Sequence, residues 1–276
     1  MADECFIPDD EISFPTLPIG PISDPNTICG LALINRNYDG ANNNFNNRLW
    51  GSKGSLLERR GPNGYADGIS LPVQNRPNPR HISNQVGEVI GNIERSKNRL
   101  TMAFVIWGQF LDHDIDLTPH GNSESFDIPI PPNDLFFGGQ TELKFSRSHF
   151  VAGSSPRQHQ NVITAWIDGS QVYGSDETLA RSLRQFTGGY MKAPGGLLPR
   201  DSNNLFQAGD ERVNENVFLT SYHTIFVREH NRVCDVIFNK DPSLNDEEIY
   251  QAARHYVIGL LQKITMEDFL SLLLGN

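Results

Sequence analysis

Cysteine is scarce in this chain and carries no pattern. The three copies, Cys5, Cys29 and Cys234, are odd in number and lack metal-ligand spacing, so at most one disulfide is expected, with Cys5 and Cys29 as its natural pair. No apolar run is long enough to span a membrane. The first residues, MADECFIPDDEISF, lack both the basic and the apolar segments of a secretory signal. No Asn-x-Ser/Thr glycosylation sequon occurs, which leaves the compartment open. Excess positive charge is missing too. The formal net charge is -10, which disfavours nucleic acid or an anionic membrane as partner. There is no internal repeat and no convincing set of strands, so the fold class is read as mainly α.

What is present suits a globular protein with long loops. The 276 residues are enough to bury a core in one or two domains. With 24 Gly and 17 Pro, many connections are expected to be irregular. Residues 1–84, rich in Pro, Gly and Asn, read as an extended arm, and residues 85–276 as the main body. A short helix is expected over 85–95. A strong one is expected over 98–117, where Leu100, Phe104, Trp107, Phe110 and Leu111 fall near helical spacing and Pro119 follows the end. Residues 120–160 read as loop. A short helix over 176–186 follows Gly174-Ser175-Asp176. Long amphipathic helices are expected over 217–239 and 246–262, the second opening at Ser243/Asn245 with acids in its first turn.

The 98–117 helix carries the chemistry. Gln109, Asp112 and His113 stand at i, i+3 and i+4 and so share one face. Asp114 is turned by about 100° from His113 and points to another neighbour. On these residues alone, the stripe fits either a solvated face or a face turned towards a ligand.

The segment Trp107–Pro119, WGQFLDHDIDLTP, resembles the distal-histidine motif of the animal haem peroxidases. Three further segments resemble family motifs in the family's order. ITAWIDGSQVYGSD (163–176) is similar to its calcium loop, LFQAGDERVNEN (205–216) to its catalytic-arginine segment, and LTSYHTIFVREHNRV (219–233) to its next long helix. NYDGANNN (37–44) resembles an N-terminal element, with Ala41 where many members have cysteine. The likeness spans most of residues 35–275 and implies a mainly α, peroxidase-like fold with long loops.

The resemblance also implies roles. His113 would be the distal base that moves a proton between the two oxygens of hydrogen peroxide, as neutral imidazole can. Arg212 would stabilise the negative charge that develops on oxygen, and Gln109 would bond a distal water or halide. Asp112 and Glu215 match carboxylates that form ester links to haem b. Asn216 stands where a member with a third, methionine link has that methionine. This disfavours chloride as donor against bromide, thiocyanate or an organic molecule. Asp114, Thr164, Trp166 (through its carbonyl), Asp168 and Ser170 would bind calcium, a hard cation that takes several oxygens. Residues 164–170, read alone, also fit a simple Asp-Gly-Ser turn. Arg228 and His230 are read as structural or haem-peripheral.

The final segment, TMEDFLSLLLGN, resembles the stretch after which the family's proximal half begins. The axial histidine of the iron is therefore expected outside these residues, in a further C-terminal half or a second chain. The family is one of secreted or extracellular proteins. The expected activity is peroxide reduction coupled to oxidation of a halide, pseudohalide or small organic donor. The alternatives are a fatty-acid dioxygenase of the same superfamily and a non-enzymatic, peroxinectin-like interaction module.

Overall fold

The structure, a computed structural model, describes residues 35–87, 99–121 and 124–275. Its elements in chain order are helix α1 (Pro79–Gly87), helix α2 (Met102–Ile115), strands β1 (Ile128–Pro129) and β2 (Glu142–Leu143), and helices α3 (Ser170–Tyr173), α4 (Glu177–Ser182), α5 (Val217–Lys240) and α6 (Asp246–Lys263). A π-helical turn, Ile264–Phe269, leads from α6 into helix α7 (Leu270–Leu274). The strands form one antiparallel pair, with Ile128 opposite Leu143. The fold is thus mainly α. Among the described residues no helix is long and apolar enough to cross a membrane. The expected Cys5–Cys29 disulfide lies outside the described residues, as does most of the helix expected over 85–95.

The chain divides into two compact units. One unit comprises the described residues up to Lys53, Phe104–Ile115 and those from Ile163 onward. The other comprises the described residues of Gly54–Ala103 and Asp116–Val162. The second unit holds the β1–β2 pair and α1, which starts earlier than the sequence suggested. Pro79 suits the first helical position, and the Asn78 side chain accepts the His81 amide at 3.0 Å. Arg80 and Asn84 of α1 both bond the carboxylate of Asp134.

The first unit holds the core. In α5 the buried residues Leu219, His223, Phe226, Val227, His230, Val233, Cys234 and Ile237 recur every three or four positions, forming one continuous stripe. Phe110 of α2 stacks on Phe226 with ring centroids 5.3 Å apart, and Trp107 packs at 5.8 Å from Phe226. Such aromatic contacts add about 0.5–1.5 kcal/mol each beyond area burial. Helix α6 starts at a capping box in which Asn245 and Glu248 satisfy each other's backbone amides. Arg184 bonds Asp246 and Glu247 in the first turn of α6 and lies over the Tyr250 ring.

The four-residue helix α3 is buried throughout and tied to both long neighbours by polar bonds. The Gln171 side chain donates to the Phe110 carbonyl of α2, and the Gln171 carbonyl faces His223 Nδ1 at 3.0 Å. His230 lies 2.9 Å from the Gly189 carbonyl through Nε2 and 2.9 Å from the Tyr173 hydroxyl through Nδ1. A carbonyl only accepts, so Nε2 carries the proton and the Tyr173 O–H donates to Nδ1.

Burial pushes His230 down from 6.5 to about 4. In the unfolded chain it titrates near 6.5, so between these values the unfolded state binds more protons. The stability from neutral His230 is therefore complete above about pH 6.5 and is lost as pH falls towards about 4. Melting temperature should drop across this window, and His230→Gln should flatten part of the drop. Thermal melts of both proteins across the window check this.

Candidate functional site

The stripe expected on α2 is graded from inside to outside. His113 is buried, Gln109 half-buried and Asp112 exposed, while Asp114, turned away from His113, is fully buried. The facing segment is a short turn, Glu211–Asn214, that runs through Glu215 into α5. Asp210 caps this turn, accepting the Arg212 amide at 2.9 Å. Asn216 caps α5, accepting the Leu219 amide at 2.9 Å. The helical turn puts Arg212 and Glu215, three residues apart, on one side.

The two segments meet through their polar side chains. Gln109 donates to Glu215 at 2.7 Å and accepts from Asn216 Nδ2 at 2.9 Å. Arg212 Nη1 is 3.4 Å from Asp112 Oδ2. His113 Nε2 is 3.7 Å from Glu215 Oε2, and Nδ1 is 3.7 Å from Asp210 Oδ1. Gln109, Asp112, His113, Arg212 and Glu215 therefore converge. Burial, then the Arg212 charge, lowers the His113 pKa below 6.5, while Asp210, Glu215 and Asp112 oppose that shift. The result is an imidazole held neutral beside a fixed cation. Such a pair can accept and return a proton next to a positive charge.

Asp210 is the site residue that sequence reasoning missed. It is buried and bonds Arg212 through both carboxylate oxygens. An Asp two residues before Arg, at the mouth of a turn, was the available signal, but nothing in the sequence told that it faced inward. Asn216, which the sequence marks as a departure from methionine, is also a helix cap, legible from its place just before an amphipathic run.

Asp114 of α2 anchors part of the other expected set. Asp114 accepts the amides of Gly169 and Ser170 at 3.1 and 2.6 Å and the Ser170 hydroxyl at 2.9 Å. Thr164 donates to Asp168 Oδ1 at 2.9 Å. Trp166 is not joined to these groups by its side chain, since its indole N–H donates to the Trp50 carbonyl. Burial, then the charge of Asp168, raises the Asp114 pKa well above the usual range, and burial pushes Asp168 up to about 6. Asp168 Oδ2 is buried without a hydrogen-bond partner. Two buried carboxylates with an unsatisfied oxygen, beside two hydroxyls, make a donor set that fits a hard cation. Among the described residues no three His, Cys, Asp or Glu side chains group as metal ligands. The set thus depends on hydroxyl and carbonyl oxygens.

The donor set around His113 likewise fits a haem face. The side chains of Asp112 and Glu215 are 56% and 48% exposed, so both carboxylates reach the open side of the cluster. His113 turns Nε2 towards Glu215 on that side.

Comparison with known proteins gives a consistent family. The family profile for animal haem peroxidase matches residues 35–276. Lactoperoxidase of Mesocricetus auratus is 31% identical, over 91% of this chain and 44% of its own length. Human dual oxidase 1 is 33% identical, over 84% of this chain and 17% of its own length. The chain thus spans less than half the length of these curated relatives. Among solved structures, peroxidase A from Dictyostelium discoideum superposes with a TM-score of 0.72 at 29% identity, covering 86% of this chain and 52% of that one. A fatty acid alpha-dioxygenase of Arabidopsis thaliana gives 0.71 at 25% identity, covering 86% of this chain and 37% of that one.

Gly209 joins the two clusters by contact. A Cβ there would lie 2.3 Å from the Ser170 carbonyl and 2.4 Å from the Gly174 amide nitrogen, both backbone atoms. Gly209→Ala must therefore push the Asp210–Arg212 segment off α3. It is expected to cost about 1–3 kcal/mol, the usual scale of overpacking, read as a lowered denaturation midpoint with an unchanged slope.

Proposed function

Because the chain belongs to the animal haem peroxidase family, we propose that it builds the distal side of a haem site that reduces hydrogen peroxide and oxidises a halide, pseudohalide or small organic donor. The observation that carries this reading is the convergence of His113, Arg212, Gln109, Asp112 and Glu215 at one open cluster. Haem, when bound, supplies the redox chemistry. His113 acts as base and then acid, taking a proton at Nε2 from one peroxide oxygen and returning it to the other. Arg212 offers a fixed cation to the oxygen on which negative charge grows. Gln109, held by Glu215 and Asn216, orients a small polar ligand beside His113. Asp112 and Glu215 would hold haem b through ester links, each requiring two-electron oxidation of a haem methyl group, for which hydrogen peroxide is the oxidant.

Calcium completes the reading. Asp114, Thr164, Trp166 through its carbonyl, Asp168 and Ser170 are the proposed ligands. The ion would neutralise the two buried carboxylates and fix the 164–170 loop to the helix that carries His113. A protein ligand to the haem iron would come from a further segment or a second chain, since the match covers less than half of the lactoperoxidase relative. The family reading also carries an extracellular setting.

The test is stopped-flow absorbance of the haem-loaded protein mixed with hydrogen peroxide, with and without the segment that follows in the relatives. Turnover is expected with that segment and little or none without it. His113→Ala should slow the peroxide reaction by ~10²-fold or more, the scale of a lost acid–base group. An unchanged rate would remove His113 from the mechanism. The likeness to a fatty acid alpha-dioxygenase supports a second reading, and oxygen uptake with a fatty acid in the absence of peroxide would favour it.

The calcium site has its own test. Added calcium should raise the melting temperature in proportion to the logarithm of its concentration above Kd, and Asp168→Ala should abolish the rise. No calcium response in the parent protein would refute the site.

A further inference from the structure

We propose that Asp210 is a positioning residue with two tasks. It holds the guanidinium of Arg212 in place, and it keeps the single proton of His113 on Nδ1 so that Nε2 is the free base. The catalytic meaning of this arrangement rests on the peroxidase reading; the arrangement itself does not.

The first task follows from hydrogen-bond geometry. Asp210 Oδ1 accepts from Arg212 N and Nε, each at 2.9 Å, and Oδ2 accepts from Nη2 at 2.9 Å. A two-pronged bond of this kind fixes the plane of the guanidinium as well as its position. It turns Nη1 towards Asp112, 3.4 Å away. The Asp210 side chain is only 1% exposed, so water does not compete for these bonds.

The second task follows from what faces the two ring nitrogens. His113 Nδ1 is sealed from solvent without a hydrogen-bond partner, and Asp210 Oδ1 stands 3.7 Å from it. That is beyond a hydrogen bond, but the force between them is not neutral. A carboxylate oxygen repels a nitrogen lone pair and attracts an N–H. Nε2 also faces a carboxylate, Glu215 Oε2, at the same 3.7 Å. The two differ in exposure, 1% for Asp210 against 48% for Glu215. At equal separation, a pull through an effective dielectric near 20 is roughly four times that through water. Asp210 therefore decides which nitrogen keeps the proton.

Two other buried histidines serve as internal controls. His223 faces the Gln171 carbonyl through Nδ1 and must carry its proton there. His230 faces the Gly189 carbonyl through Nε2 and must carry its proton there. In both rings the carbonyl sets that choice; the Asp210 charge reaches His223 but not His230.

The experiment is two-bond proton–nitrogen correlation NMR of the haem-free, ¹⁵N-labelled 276-residue protein, which reads the tautomer of each ring. The His113 signals are assigned by their loss in His113→Gln. The parent should show His113 protonated at Nδ1. Asp210→Ala should make that form the minority in favour of Nε2–H, with the His223 and His230 tautomers unchanged. Asp210→Asn, of the same size but uncharged, should give an intermediate mixture and serves as the reading if the alanine variant loses the control tautomers. A parent protonated at Nε2 overturns the proposal. So does a variant that keeps both controls and leaves His113 wholly in the Nδ1–H form. Because no haem is present, a loaded protein inert towards peroxide would refute the peroxidase reading and leave this result standing.

Discussion

The carboxylate of Asp114 is buried completely and answered by the first amides and hydroxyl of a single turn of helix. Burying a carboxylate is costly unless its oxygens are bonded, so this contact cannot be loosened without exposing or protonating the group. It fixes α3 against α2 at the residue next to His113. Helix α3 then hands that position on, through Gln171 to the α2 backbone and His223, and through Tyr173 to His230. Four residues of helix would not persist alone; here polar bonds on several sides replace the stability that length would give.

The cluster around His113 inherits its geometry from that contact. Gly209 lies so close to Ser170 and Gly174 that the segment leading to Asp210 and Arg212 has one place to run. The electrostatics are balanced rather than additive. Asp210, Glu215 and Asp112 favour a charged imidazole, yet burial and Arg212 together outweigh them. The same carboxylates keep the Arg212 cation from being an isolated charge near the interior. The imidazole thus stays neutral beside the guanidinium.

The long helices were legible because their signals are local and repeated. The apolar period of α5 and the Asn245–Glu248 box of α6 can be read without knowing what they pack against, and both elements lie within two residues of their expected limits. Helix α2 is shorter than its apolar pattern: Leu100 precedes it, and the helix starts at Met102. Arg99, just before it, has φ +53°, a conformation outside the right-handed helix that the periodicity of side chains does not report. The π-helical turn after α6 was invisible for a similar reason, since an extra residue in a turn leaves composition unchanged. The four-residue helix α3 is buried on every side and too short to give a period, and α1 lay in a stretch whose Pro and Asn content reads as loop. The site residues were legible only through motif order. Their convergence depends on a turn, Glu211–Asn214, whose inward side the sequence does not mark, which is why Arg212 was found and Asp210 was not.

Asn216 shows how one side chain can be read two ways. As a sequence position it is the absence of a methionine link. In the structure its Oδ1 closes the first turn of α5 and its Nδ2 holds the carbonyl of Gln109, whose own amide then reaches Glu215. A methionine at this position could neither cap the helix nor bond Gln109, because a thioether is a weak acceptor and no donor. The choice of Asn therefore fixes the amide orientation of Gln109: its oxygen faces a donor and its nitrogen faces a carboxylate, and reversing it would break both bonds. With that orientation set, Gln109 is committed to its neighbours within the cluster. One N–H of the Gln109 amide is then held by Glu215, and its second N–H is what the cluster keeps for a further acceptor.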